Sequence, residues 1–166
     1  YAIDQFVMRG GKLMVFVDPY SEGQASRPGP GGRPPTDTAS QLNRLLNAWG
    51  IDAPSEAVVL DLRGAWRVRA GPNERVQAVD YLAWFNLQGD SINNSEVATA
   101  QLNQVTVASA GYLRRRDGAT VEFVPLLQSS ERSMLANVER VRDQPDPARI
   151  LAEFRPENLH RTIAAR

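Results

Sequence analysis

The sequence predicts a three-layered α/β fold in which a partly parallel sheet carries an antiparallel hairpin extension. Three observations predict it. Residues 3–18 read as a helix, a glycine pair and an uninterrupted apolar strand; an amphipathic helix follows over 38–50; the second half is dense in short strands and turn signals, Asp117-Gly118 foremost. A helix, buried strand, helix, strand order implies parallel pairing through crossover helices, whereas hairpins imply antiparallel neighbours.

Ile3, Phe6 and Val7 recur at helical spacing and place one apolar stripe on the first helix. Gly10 and Gly11 stop it, because glycine past the last turn takes the left-handed conformation without steric cost. Leu13, Met14, Val15, Phe16 and Val17 are apolar without alternation, the pattern of a strand covered on both faces, and Asp18-Pro19 ends it. Residues 20–35 hold Gly23, Gly29, Gly31, Gly32, Pro28, Pro30, Pro34 and Pro35 and predict a surface loop. The prolines and the lack of a following Gly-Lys-Ser/Thr argue against a phosphate cradle. Thr38-Ala39-Ser40-Gln41 is a capping box opening a helix whose face is Leu42, Leu45, Leu46 and Trp49, closed by Gly50. Val15, Phe16, Leu45 and Trp49 are therefore expected in one core.

Ala57 to Leu60 reads as a short buried strand, and Trp66, Val68 and Ala70 alternating with arginines read as a half-exposed one, with a hairpin through residues 61–64. Gly71-Pro72-Asn73 predicts a further turn. Over 76–87 the apolar residues fit neither period, predicting an irregular or extended segment, whose aromatic cluster reads as core with satisfied polar tips in preference to a ligand wall. Ser95 and Glu96 open a short helix, Val105 to Ala110 reads as a strand, and residues 112–116 and 121–124 flank Asp117-Gly118 as hairpin arms. A strand ends in Leu126-Leu127. Leu135 to Arg142 reads as helix or as polar edge strand. Asp146-Pro147 opens a last helix with face Ile150, Leu151 and Phe154, closed by Pro156, and a final strand runs through Ile163.

Nineteen basic and nineteen acidic residues give a formal net charge of zero, which removes the field a nucleic-acid partner would need. With 42% hydrophobic residues in 166, the chain can bury roughly 70% of its unfolded surface as one domain, residues 1–166. It has no cysteine, hence no disulfide, no thiolate nucleophile and no Cys-type zinc site. Apolar runs such as Leu13 to Val17 fall far short of the roughly 20 residues of a membrane helix. The chain starts inside a helix without an initiator methionine, predicting a fragment of a longer protein tethered by segments outside these residues.

Groups able to do chemistry are sparse. Ser129, Ser130 and Ser133 cluster after a strand, without a G-x-S-x-G elbow, and His160 is the only histidine any triad could use. One histidine and scattered carboxylates offer no metal spacing. No catalytic, cofactor-binding or metal-binding residue is assigned. Arg114, Arg115 and Arg116 alternate across a strand and read as a solvated edge.

The run from Tyr1 to Glu22, with Gly-Gly-Lys-Leu-Met-Val-Phe-Val-Asp-Pro at its centre, resembles the extracytoplasmic domain of auxiliary proteins of uncharacterised ABC transport systems, the family that includes the gliding-motility protein GldG. LNRLLNAWGI at 42–51, VTVASAGYL at 105–113, VPLLQSSERS at 124–133 and DPARILAEFRP at 146–156 continue it in order, and it favours a strand over 135–142. The resemblance implies a flavodoxin-like or class I amidotransferase-like sheet, a periplasmic location at the inner membrane, and an ABC transporter permease or other membrane subunits as partners, with a homodimer as a further one. An amidotransferase would need the cysteine this chain lacks. Three functions follow in order: a non-catalytic interaction domain, a small-molecule or carbohydrate-binding module at the strand carboxyl ends around Asp18, and a hydrolase using His160 with a serine. Neutral charge and the absence of an acid, base or nucleophile constellation favour the first, with Tyr81, Trp84 and Phe85 as the expected exposed patch.

Overall fold

The longest element among the described residues lies where the sequence predicts an irregular or extended segment, and it is extended. Residues Ala78–Gln88 form an eleven-residue strand, β4 in the numbering below, bonded along both edges. The computed structural model describes residues 2–27, 29, 32, 35, 37–69, 78–142 and 144–166. In chain order the elements are α1 (Ala2–Met8), α2 (Glu22–Ala25), α3 (Asn43–Ala48), β1 (Ile51–Asp52), β2 (Ala57–Asp61), β3 (Ala65–Arg69), β4, β5 (Gln104–Ala108), β6 (Arg114–Arg115), β7 (Pro125–Gln128), β8 (Ser133–Asn137), α4 (Pro147–Ala152) and β9 (Thr162–Ala165).

Among the described residues every strand pair is antiparallel: β3-β4-β5, β2 with β8, β7 with β9, and β1 with β6. The fold is mixed α/β with few, short helices, and the described residues do not form the flavodoxin-like or amidotransferase-like parallel sheet. The parallel expectation rested on residues 13–17 being a central strand. They are not one. Residues 12–17 make no main-chain hydrogen bond among the described residues, and Phe16 is 80% exposed. An apolar run sets the propensity for a strand, but a strand exists only where a neighbour takes its N–H and C=O groups. The expected core of Val15, Phe16, Leu45 and Trp49 is accordingly absent; Trp49 is half-buried and its indole N–H donates to Asp4 Oδ1 at 2.9 Å.

Other elements move for local reasons. The capping box does not cap: Thr38 Oγ1 accepts from Ser21 N–H and Ser40 Oγ from Asp18 N–H, so both hydroxyls tie this segment to residues 18–21, and α3 begins only at Asn43. One helical turn, α2, stands inside the predicted loop. No hairpin joins β2 to β3; β2 pairs with β8 from Ala57↔Asn137 to Asp61↔Ser133, and β3 pairs with β4. Asp117-Gly118 does turn, with Gly118 at φ +76°, but the first arm pairs with Ile51–Asp52 and residues 122–124 form no strand. Residues 94–101 are successive turns instead of a helix. The segment 135–142 is divided, strand to Asn137 and then a 3-10 turn over Val138–Arg140. The predicted turn at residues 71–73 lies outside the described residues.

Several elements stand where predicted. Asp146 caps α4 by accepting from Arg149 N–H at 3.0 Å, although the helix ends at Ala152, before Pro156. Gly64 has φ +75°, and a Cβ there would lie 2.4 Å from Asn86 O, so the β2–β3 corner requires glycine to reach β4.

Two clusters make the core. Val58, Leu60, Tyr81, Leu82, Ala83, Val138, Val141, Ile150 and Phe154 form the first, and Val59, Phe85, Leu87, Ile92 and Leu127 the second. Alternate residues of β2 thus feed different clusters. The odd residues of β4 from Val79 to Leu87 are all buried, as a strand period demands, and apolar Leu82 and Trp84 between them hide that period in the sequence; a register jump between Ala65↔Phe85 and Trp66↔Tyr81 bulges the three residues between them. Phe85→Ala is expected to cost about 3–5 kcal/mol in denaturant unfolding with an unchanged m-value. A loss below 1 kcal/mol would contradict the burial described.

Candidate interaction surface

Tyr81, Trp84 and Phe85 do not form a surface. Phe85 is fully buried and Tyr81 is 2% exposed. Half-buried Trp84 stacks edge-on against Tyr81 and Trp66, at centroid distances of 5.3 and 6.4 Å, and its indole N–H donates to Glu22 Oε1 at 3.0 Å. These aromatics hold β4 to α2 and β3.

Most of the exposed large apolar groups lie earlier, with Trp66, Val97, Leu102 and Leu159 scattered elsewhere. Ile3, Phe6 and Met8 of α1 point outward, none of that helix's residues is buried, and Leu13, Met14, Val15 and Phe16 follow. Asp4 on α1 holds the Trp49 indole and so keeps the helix against α3. Gly10, at φ +87°, turns the chain, and Gly11 N–H donates back to Phe6 O at 3.0 Å. A Cβ at Gly11 would meet the Phe6 ring at 2.5 Å, so the glycine pair lets the chain fold tightly beneath that ring. An open depression of about 610 Å³, lined by Ala2, Gln5, Phe6, Arg9, Gly10 and Gly11, lies on this side. Contiguous exposed apolar residues of this kind mark interaction sites on folded proteins.

Beyond the segment the chain is anchored. Asp18 N–H donates to Ser40 Oγ at 2.9 Å, and Asp18 O accepts from Ser40 N–H at 2.8 Å. Partial burial raises the Asp18 carboxyl above the usual carboxylate range, and no cation among the described residues offsets it. The crevice predicted around Asp18 needs parallel strand ends, which are absent. In its place Glu22 Oε1 accepts from Trp84 Nε1 and from Ser109 Oγ at 2.6 Å. Ser109 is fully buried at φ +48°. The Tyr81 hydroxyl beside it has no hydrogen-bond partner of good geometry among the described residues, and burial first, then Glu22 and Tyr20, pushes its pKa up.

The serines lie in a hydrogen-bond network. Asp61, 1% exposed, accepts from Ser130 N–H and Ser130 Oγ, each at 2.6 Å, and from Arg63 N–H at 2.8 Å. Arg161 N–H donates to Ser129 Oγ, Ser129 and Ser133 share a 2.9 Å bond, and Ser133 Oγ donates to Leu159 O. His160 Nδ1 lies 2.7 Å from Ser129 O, which requires the proton on Nδ1, while Nε2 lies 3.7 Å from exposed Glu131. Histidine and serines are thus brought together, but each hydroxyl is already engaged and the imidazole addresses a carbonyl. Asp61 and Glu22 went unread in the sequence; the one available signal was an acid closing the apolar run Ala57 to Leu60. Arg114 and Arg116 both bond Asp52, at 3.1 and 3.4 Å, leaving Arg115 exposed on the strand edge.

The described residues define an antiparallel, mixed α/β domain with an apolar N-terminal surface. The whole chain, residues 1–166, matches the family described as ABC-type uncharacterized transport system, auxiliary component, and it belongs to that family. Comparison with curated proteins and with solved structures returned no match. No helix among the described residues is long and apolar enough to cross a membrane.

Asp61→Ala is expected to cost about 3 kcal/mol or more, since it leaves two buried donors of Ser130, and the Arg63 N–H, without an acceptor. His160→Ala is expected to change stability by under about 1 kcal/mol, because the half-exposed ring gives up one carbonyl contact. Chemical denaturation of the two variants side by side checks both, and equal losses would contradict the assignment.

Proposed function

We propose that this chain is a non-catalytic auxiliary domain of an ABC-type transport system, acting outside the cytoplasm at the inner membrane by presenting its N-terminal apolar surface to a permease or other membrane subunit. The observation that carries the reading is the exposed run over α1 and residues 11–16, in a member of a transport-auxiliary family. Buried apolar area drives association, and side chains such as Met14 and Phe16, each 80% exposed, are what a partner would cover. The engagement of Ser129, Ser130, Ser133 and Asp61 with one another supports the absence of hydrolysis. The resemblance of the Gly10 to Pro19 run to GldG proteins supports a gliding-motility system as the setting.

A second reading, a small-molecule or carbohydrate site, is favoured by one observation: Glu22, Ser109 and the unpartnered Tyr81 hydroxyl meet beside the indole of Trp84. A carbohydrate at 100 times its dissociation constant would add about 2.7 kcal/mol of stability, so a thermal-shift panel of sugars decides it. For the main reading, a photo-crosslinking residue at Met14 in cells is expected to capture a permease subunit or a second copy of the chain. Capture of cytosolic proteins alone would overturn both location and role.

A further inference from the structure

We infer that residues 12–18 form one half of a two-copy antiparallel strand pair centred on Val15, in which Lys12 of each copy faces Asp18 of the other. The inference deepens the interaction role proposed above and rests on it, naming one occupant of the exposed surface.

The segment shows the face alternation of a strand without a neighbour. Exposure alternates along it, with Leu13 at 43%, Met14 at 80%, Val15 at 39% and Phe16 at 80%, so the odd residues face the body of the protein and the even ones face outward. Main-chain N–H and C=O groups of one strand residue point to the same edge, and those of the next to the opposite edge. Asp18 uses both of its groups on Ser40, which assigns the edge of the even residues to the protein's own loop. Leu13, Val15 and Val17 then present their groups on the other edge, which no described residue occupies.

The ends of that edge are closed. Pro19 has no N–H, and Gly11 N–H is held by Phe6 O. The length in between is self-complementary. With Val15 opposite its own twin, Leu13 and Val17 exchange hydrogen bonds across the pair, Met14 lies beside Phe16, and Lys12 lies beside Asp18. The charged pair falls at non-hydrogen-bonded positions, where opposing side chains come closest. Neither charge has an ion-pair partner among the described residues, and the Asp18 carboxyl is partly buried without a cation. A shift of register by one residue would oppose Lys12 to an apolar side chain and leave both charges unmatched. A purely apolar occupant, such as lipid, would satisfy neither the main-chain donors nor the charges.

The chain has no cysteine, so single cysteines report the register directly. In a hydrogen-bonded antiparallel pair the facing Cα atoms lie about 5.5 Å apart, within disulfide reach. Val15→Cys is expected to oxidise to a covalent dimer at low micromolar protein. Leu13→Cys and Val17→Cys alone should crosslink at least tenfold more slowly, and a mixture of the two should recover the rate. In sedimentation, Lys12→Asp should weaken dimerisation about tenfold, and adding Asp18→Lys should restore it. A monomer at all concentrations, or crosslinking indifferent to position, overturns the pair. If that monomer still captures a permease subunit through Met14, the auxiliary role stands without the dimer. A dimer in the predicted register whose cellular contacts are all cytosolic upholds the pair and overturns the role.

Discussion

The fold depends on β4 being satisfied on both edges. A strand of this length carries many main-chain donors and acceptors, and each left dry would cost on the order of a kcal/mol or more. β3 takes one edge over residues 78–81 and at Phe85, and β5 the other over residues 84–88, and β4 lies in the interior with Leu82, Ala83 and Phe85 fully buried. From there the bonding continues: Ser109 N–H donates to Ala83 O, and Val59 N–H donates to Ala110 O. This links the three-stranded sheet to β2, whose alternate residues enter both apolar clusters. α4 covers the first cluster through Ile150 and Phe154.

Legibility in the sequence followed how local each determinant was. The cap at Asp146, the left-handed glycines at Gly10, Gly50 and Gly118, and the strands around Val58, Val107 and Leu127 depend on a few neighbouring residues, and the sequence placed them. Pairing partners depend on the whole chain. β2 and β3 adjoin in sequence, yet β2 joins β8, more than seventy residues away, because the apolar faces of Val58 and Leu60 are completed there by Ala136 and Val138. β4 is disguised by apolar residues at two even positions, Leu82 and Trp84, which blur an alternation that holds at every odd position from Val79 to Leu87.

The candidate site divided in the same way. Aromatic residues at 81, 84 and 85 looked like a patch because composition does not reveal which face is covered; burial did. The run from Leu13 to Val17 looked like a core because its apolarity is the same whether a neighbour is present or not. The auxiliary family was legible through the order of its motifs along the chain, which no periodicity records.

Asp61 has a consequence beyond local bonding. It is a carboxylate at the end of an apolar strand; Arg63 N–H meets it locally, and the Ser130 N–H and hydroxyl meet it in one alignment of β2 against β8. Sliding that pair by one residue would turn the carboxylate away from the Ser130 hydroxyl and strand an unmatched charge in the interior, a far larger penalty than the slip costs in apolar contacts. Valine and leucine on either side would accept several alignments; the acid accepts one. Asp61 therefore acts as a registration pin, giving uniqueness to a pairing that hydrophobicity alone would leave degenerate.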